Sequence, residues 1–571
     1  MGARLCTSQT ALFFGMALLV GAPSAWAQLV PGNSGLTGDI GQATPLTGGG
    51  AAQMFSAFPN AGAASPPTLS YPGYTPSVEA QRPFGFRLGL EGDEKWSDNV
   101  FSTAQGGRFN TSSNTGKKAD FITTVASSVG VDVNSKRLQG ALDYNLAYDR
   151  YASNTRLDGY RENGLGVFDS ELIDKLFFVD ARGSVSEQNT SSNGAITAGS
   201  RTAATNLTRV YTGSVTPRLQ QKFGDWAVGQ VSYHHDETHN ENASQISQTT
   251  SLSSLSSVPL NDSHTDGGRV EMRNGNYFSR FFWDYSGDYS RNVSSGATYE
   301  QTTHNIGTEY RLIDSFGLLA AGGHDHLHNT TTDLSKYGGG YYSGGVHWTP
   351  SPDTDVRLGA GRRYDHNNWT ALAEHHFSPM TVIRLSEDTG VTNDALSFEQ
   401  ALGAVQRGPN GGFVDPFSGL SANPSSSPFG RSNALYWQRN TNLLLRHDEL
   451  RDSFALAGRV AEQRLLTNIA ATTTSTALAA GTRSTVTGAD LSWSHQFDPA
   501  TSGIAALSPS VTRSTNNALN GSKRFQGSLA LNHSLNETLT GSLGYYYAAT
   551  ISESSGNTRE NLVSVGLRKT F

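Results

Sequence analysis

From Phe84 onward the chain repeats one short pattern, apolar and polar residues alternating for a strand's length and then breaking at a turn. Phe84, Phe86, Leu88 and Leu90 alternate with Gly85, Arg87, Gly89 and Glu91. Leu142, Tyr144, Leu146 and Tyr148 alternate with Asp143, Asn145 and Asp149. Tyr277, Phe281, Trp283, Tyr285 and Tyr289 oppose Arg280, Asp284 and Asp288, while Leu543, Tyr545, Tyr547 and Ile551 oppose Ser542 and Tyr546. A period of two puts each apolar set on one face of a strand and each polar set on the other. The last segment does the same, with Val563, Val565, Leu567 and Phe571 against Ser564, Gly566, Arg568 and Thr570. An unpaired terminal strand is an aggregation hazard. It is expected to close on the first strand, with Phe84, Phe86, Leu567 and Phe571 as the closure and assembly residues. Lipid outside and water inside is the setting in which this alternation recurs over many strands.

The connections alternate too. Short turn signals stand at Asn134–Lys136, Ile173–Lys175, Lys222–Asp225, Arg273–Asn276, Ile313–Ser315, Ser351–Asp353, His447–Asp448, Asp498–Pro499 and Leu535–Glu537. Longer polar stretches lie near 102–118, 190–205, 239–262, 391–430, 466–481 and 515–523. Short turns on one side and long loops on the other predict an all-β, transmembrane, antiparallel up-and-down outer-membrane barrel of about 22 strands, within a range of about 16–22. The signal is weakest over 339–390, where runs are short and Arg362 falls at an outward parity. Aromatics at strand ends (Tyr148, Trp226, Tyr289, Trp348 and Trp437) predict a girdle at the lipid–water boundary.

The N-terminus carries a different text. Arg4, the apolar run Ala11–Val20 and Ala25-Trp26-Ala27 read as a secretory signal over 1–27, cleaved before Gln28. Residues 28–82, with Thr47–Gly50, Ser65–Pro67 and Tyr71–Pro76, are too rich in Gly and Pro to order themselves and predict a disordered periplasmic arm or partial plug ahead of a barrel at 83–571. The single cysteine, Cys6, lies inside the signal, which excludes a disulfide scaffold in the mature chain. Losing Arg4 leaves 41 basic against 49 acidic residues, a net −8 that offers nucleic acid no purchase.

Little catalytic chemistry stands out. No nucleophile elbow, paired-carboxylate motif or phosphate loop is evident, so no catalytic residue, cofactor or metal is expected and the chain reads as a non-enzyme. His324, His326 and His328 share a strand face, but about 6.6–6.8 Å separates such neighbours, too far for one closed site. The adjacent pairs His234-His235 and His375-His376 point to opposite faces. The lumen is instead expected to carry a charge pattern. Glu91, Asp143, Asp180 and Asp284 stand with Arg87 and Arg280 in the first half, and Arg357, Arg459, Arg524 and Arg568 in the second. The walls either oppose each other across a wet lumen or pair locally.

Several stretches resemble the porin-2 β-barrel family of Gram-negative outer membranes: Leu88–Phe101 with its Trp96–Phe101 end, Leu142–Tyr151, Glu171–Phe178 and Val563–Phe571. The resemblance covers the barrel, not the arm, and Lys569 departs from the apolar residue usual at that position. It implies a porin-like barrel with relatives near exopolysaccharide systems. The expected function is passive passage of hydrophilic solutes across the outer membrane. Exopolysaccharide export, with Tyr436, Tyr546 and Phe282 stacking on sugars, and a structural or adhesive barrel with a plugged lumen are the alternatives. Expected partners are outer-membrane lipid, the barrel assembly machinery and small hydrophilic solutes or polysaccharide.

Overall fold

The computed structural model describes residues 84–571 except 103–116, 190–195, 197–206, 242–261, 295–296, 408–412, 416, 418–428, 430–433, 468–479, 516–520 and 553–555. The expected signal and arm lie outside the described residues.

The first half is β1 (Phe84–Ser97), β2 (Asp120–Asn134), β3 (Leu138–Tyr151), β4 (Gly159–Ile173), β5 (Phe177–Asn189), β6 (Leu207–Phe223), β7 (Ala227–Glu241), β8 (Ser263–Asn274), β9 (Phe281–Ser294), β10 (Ala297–Ile313) and β11 (Phe316–Asn329). Then come β12 (Gly339–Ser351), β13 (Thr354–Arg363), β14 (His366–Ser378) and β15 (Thr381–Thr392). Helix α1 (Asp394–Ala404) and a hairpin of two-residue strands, β16 (Gln406–Arg407) and β17 (Phe413–Val414), precede β18 (Tyr436–Asp448). The ring is completed by β19 (Asp452–Leu465), β20 (Arg483–Asp498), β21 (Thr501–Ser514), β22 (Ser522–Ser534), β23 (Leu539–Ser552) and β24 (Gly556–Thr570).

All but β16 and β17 join one 22-stranded antiparallel sheet, which closes by pairing β24 with β1. The register at the seam runs from Gly89↔Thr570 to Ser97↔Leu562, and the Phe571 N–H donates to the Leu88 carbonyl at 2.9 Å. The seam therefore lies higher on β1 than the stretch Phe84–Leu90 that the alternation suggests. Phe84 and Phe86 pair with β2 instead, opposite Val133 and Val131. Lys569, the discordant residue, lies over the Phe571 ring at 5.4 Å, so its charge rests on the terminal aromatic.

Burial is inverted relative to a water-soluble protein. Phe84, Phe86, Val125, Val231, Ile306, Leu318, Leu529, Val565 and Leu567 are exposed on the outer face, while Asp149, Asp180, Asn305 and Asn532 are buried on the inner one. Each strand thus offers apolar surface to lipid and polar surface inward, and the chain is an outer-membrane barrel. The long connections gather at one rim, the short turns and the seam's Phe571 end at the other.

Two expectations need correction. Arg280 lies outside the wall, in the turn between β8 and β9, because β9 starts one residue later at Phe281. Trp437 is no girdle residue, being 3% exposed and stacked on His366 at 5.1 Å beneath the extracellular connections. The weak region 339–390 is four regular strands. Its glycines reflect close strand packing: a Cβ at Gly361 would meet the Tyr342 carbonyl oxygen at 2.1 Å, and one at Gly345 the Leu358 oxygen at 2.2 Å. Arg362 does point outward, at the rim, where it pairs with Asp365 at 2.7 Å.

Candidate functional site

The site is the lumen and the segment that crosses it. After β15 the chain does not return directly to the wall. Asn393 caps a helix, its side chain accepting from the Leu396 N–H at 2.9 Å, and Asp394 follows in the first turn, where a negative charge suits the helix dipole. α1 then packs on β5, β6 and β7, eight to ten places away from β15 round a ring of 22. That places it on the far side of the lumen.

Every side of this helix is engaged, so it shows no simple amphipathic stripe. Leu396 joins a cluster at the mouth with Tyr299, Leu327, Leu334, Tyr337, Tyr364, Val391, Leu435, Trp437 and Leu466. Leu402, wholly buried, packs with Val405 and Phe413 on Ala141, Leu165 and Val167 of β3 and β4. These three wall residues have inward parity, where a wet lumen would favour polar groups. The helix C-terminus is held by Arg182 of β5, whose guanidinium donates to the carbonyls of Leu402 at 3.1 Å, Val405 at 3.2 Å and Gly403. A cation there meets both the orphan carbonyls and the negative end of the dipole.

A polar chain fastens the other flank. Asn393 donates to Asn292 at 2.9 Å, Asn292 to Thr265 at 2.8 Å, and Thr265 to Glu399 at 3.1 Å. Glu399 is buried against Asp236 of β7, and burial and that neighbouring charge push its carboxyl well above the usual glutamic range. Tyr436 donates to Asp394 at 2.8 Å, so this fully buried tyrosine anchors the helix. The segment then recrosses: Phe417 packs on Leu444, Ala455 and Ala457 near the lower ends of β18 and β19, and its carbonyl accepts from Arg384 at 2.9 Å. A second connection also enters, since Ile196 between β5 and β6 packs on Tyr546, Ala548 and Leu562 of β23 and β24.

Several of the wall charges are drawn into local contacts. Arg87 contacts Asp132 and Asp143, the latter at 3.4 Å, and Asp180 meets Arg218 at 2.9 Å. Arg357 meets Asp355 at 3.1 Å, and Arg568 donates to Ser128 at 3.3 Å and stands opposite Glu91 in the register. Asp284 opposes Arg273, Arg459 opposes Asn442 and Gly488, and Arg524 opposes Ser510 and Thr550. Phe282, expected to stack on sugars, lies under Arg311 at 4.4 Å. His234 faces inward near Asp236 at 3.9 Å, whereas His235 bonds to Asp266 at 2.8 Å on the outer face. Among the described residues no group of three or more His, Cys, Asp or Glu is placed to hold a metal ion.

Several solved structures are similar to this chain in fold.

They include the FrpB iron transporter from Neisseria meningitidis (10% identity, covering 85% of this chain and 82% of that one, TM-score 0.42). The siderophore receptor PirA from Pseudomonas aeruginosa matches at 10% identity over 86% and 81%, with a TM-score of 0.36. The alcaligin receptor FauA from Bordetella pertussis matches at 12% over 85% and 76%, with a TM-score of 0.31. No family model matches the chain, and no curated protein matches it either. The outer-membrane barrel stands on its own closed sheet and inverted burial.

The expected passive porin is corrected by the lumen itself, which is crossed by α1 and again by the return through Phe417. Neither alternative is supported: Tyr436 and Phe282, expected to stack on sugars, are occupied by protein. Sequence reasoning missed α1. Its available signals were Asn393-Asp394 before a helical run and the inward-parity Leu165 and Val167, apolar at positions where a wet lumen favours polar groups.

Proposed function

We propose that the protein is a gated outer-membrane transporter that takes in a small polar ligand, and that passage requires the segment carrying α1 to leave the lumen. The observation that carries this is the segment's construction: a capped helix seated on the wall opposite its own strands, held by a cation at one end and a hydrogen-bonded chain along one flank. A 22-strand ring without an obstruction would be a wide hole, so its closing element is where control of passage resides. A ligand moves such an element only by binding the displaced arrangement better than the seated one. Arg87, Glu91, Asp143, Asp180, Asp284, Arg357, Arg459, Arg524 and Arg568 are the wall groups proposed to line the path once it opens. Iron chelates and siderophores are the first ligands to try, because the similar solved barrels carry them. Kinship with the porin-2 family is a further proposal, resting on strand style in Trp96–Phe101 and Leu142–Tyr151.

The test tethers the helix. Cys6 is the only cysteine, so the double variant Thr265→Cys/Glu399→Cys offers a unique mature thiol pair across the contact. Bridging it with a cleavable bis-maleimide should abolish uptake of a transported ligand in whole cells, and cleaving the bridge should restore it. Uptake that continues at the untethered rate with the bridge intact would sink the proposal.

A further inference from the structure

We propose that His304 and His324 form a two-imidazole site for a divalent transition ion on the outer face of the barrel, at the extracellular edge of the apolar belt. The two residues stand directly opposite each other on β10 and β11, on the same face, and both are exposed. Directly opposed residues of antiparallel strands have Cβ atoms about 4.5–5.5 Å apart. Two imidazoles at that spacing can converge on one ion at about 2.0–2.1 Å from each nitrogen. Reading His324, His326 and His328 along a single strand hides this, because the partner comes from the neighbouring strand.

Three further features shape the site. His304 Nδ1 lies 3.0 Å from the Tyr285 hydroxyl of β9. With Nδ1–H donating to that oxygen, Nε2 is left unprotonated and aimed outward, which is how outer partners orient metal-binding histidines. The pair is also flanked by glycines, with Gly287 opposite His304 on β9 and Gly340 opposite His324 on β12. A Cβ at Gly287 would come within 2.9 Å of the Tyr285 hydroxyl and 3.5 Å of His304 Nδ1, so this glycine keeps the orienting contact possible. Below the pair Ile306 stands opposite Gly322, the top of the lipid-facing apolar run, and above it Thr302 stands opposite His326.

The ligand set defines the ion. Neutral imidazoles with no thiolate suit copper(II), nickel(II) and zinc(II) and leave hard calcium and magnesium to oxygen sites. Two protein ligands leave coordination positions open for water or for phosphate oxygens of the outer leaflet. The ion would bridge two adjacent strands at the level of the lipid headgroups.

The experiment titrates untagged, detergent-purified barrel with copper(II), nickel(II) or zinc(II) alone, following heat and, for copper, the nitrogen hyperfine pattern in electron paramagnetic resonance. The wild type should bind one ion with two-nitrogen coordination. Tyr285→Phe should weaken binding by about tenfold. His304→Ala and His324→Ala should each weaken it further and collapse the two-nitrogen signature, while His328→Ala should leave affinity unchanged. Heat-shifted gel mobility confirms that each variant is folded. Wild-type affinity in His304→Ala and His324→Ala, or an equal loss in His328→Ala, would overturn the assignment.

Discussion

Single residues in this barrel work in a setting where an unmet charge is costly. Asp325 of β11 and Arg363 of β13 are almost wholly buried and bond twice, at 2.5 and 2.6 Å, across the intervening strand. Tyr341 and Tyr364 cover the guanidinium at 4.1 and 4.7 Å. Removing one partner strands the other without water. Arg363→Ala is therefore expected to destabilise the barrel by about 3–5 kcal/mol, read as a lower midpoint in urea unfolding followed by gel mobility. A midpoint within error of the wild type would show that the pair adds no stability. Glu399 gives a pH dependence. Its carboxyl is raised from the ordinary 4.5 by burial and by Asp236, so the seated helix holds a proton that the free segment would release. Seating must weaken as pH climbs above 4.5 and level off once the seated value is passed. His234, His235 and Asp266 near Asp236, Ser214 beside it, Thr265, and Arg182 at the helix end are the other polar groups there. Protease cleavage within 393–435 should accelerate with rising pH in the wild type and lose that dependence in Glu399→Gln. A Glu399→Gln profile identical to the wild type would show that another group is responsible.

Among the elements, the strands were legible and the helix was not. Phe84, Leu88, Val565 and Leu567 face hydrocarbon while Arg87, Glu91 and Arg568 face inward, so lipid on one side and polar surroundings on the other write themselves directly into the alternation. What escaped was contact between distant pieces. Leu165 and Val167 break the inward polar parity of β4, but a local window gives no sign that Leu402 answers them from more than 200 residues away. His304↔His324 is invisible for the same reason, since register is a property of two strands. In β12 and β13, glycines forced by close strand approach erased the apolar rhythm itself. Leu402→Asp should unseat α1, because a carboxylate would face the apolar patch of Ala141, Leu165 and Val167. The measurable result is faster proteolysis between β15 and β18 with the barrel's own heat-shifted mobility intact. Protection equal to the wild type would count against this contact as the main seat.

At the scale of the whole molecule, closure and obstruction are separate achievements of one chain. The ring is completed at the Phe571 end by pairing with β1, and deletion of Phe571 should lower the yield of assembled barrel in the outer membrane. The obstruction comes from connections at the opposite rim, chiefly α1 with Phe413 and Phe417, with Ile196 reaching the β23–β24 wall from another. The central claim is that this inserted segment, not the width of the ring, decides what passes. Planar-bilayer recordings of the wild type and of a variant with 394–434 replaced by a short Gly/Ser turn test it most directly. The wild type should show little steady conductance, and the variant should open a large, weakly selective pore. A wild type that already conducts as a wide pore, or a variant as closed as the wild type, would contradict it.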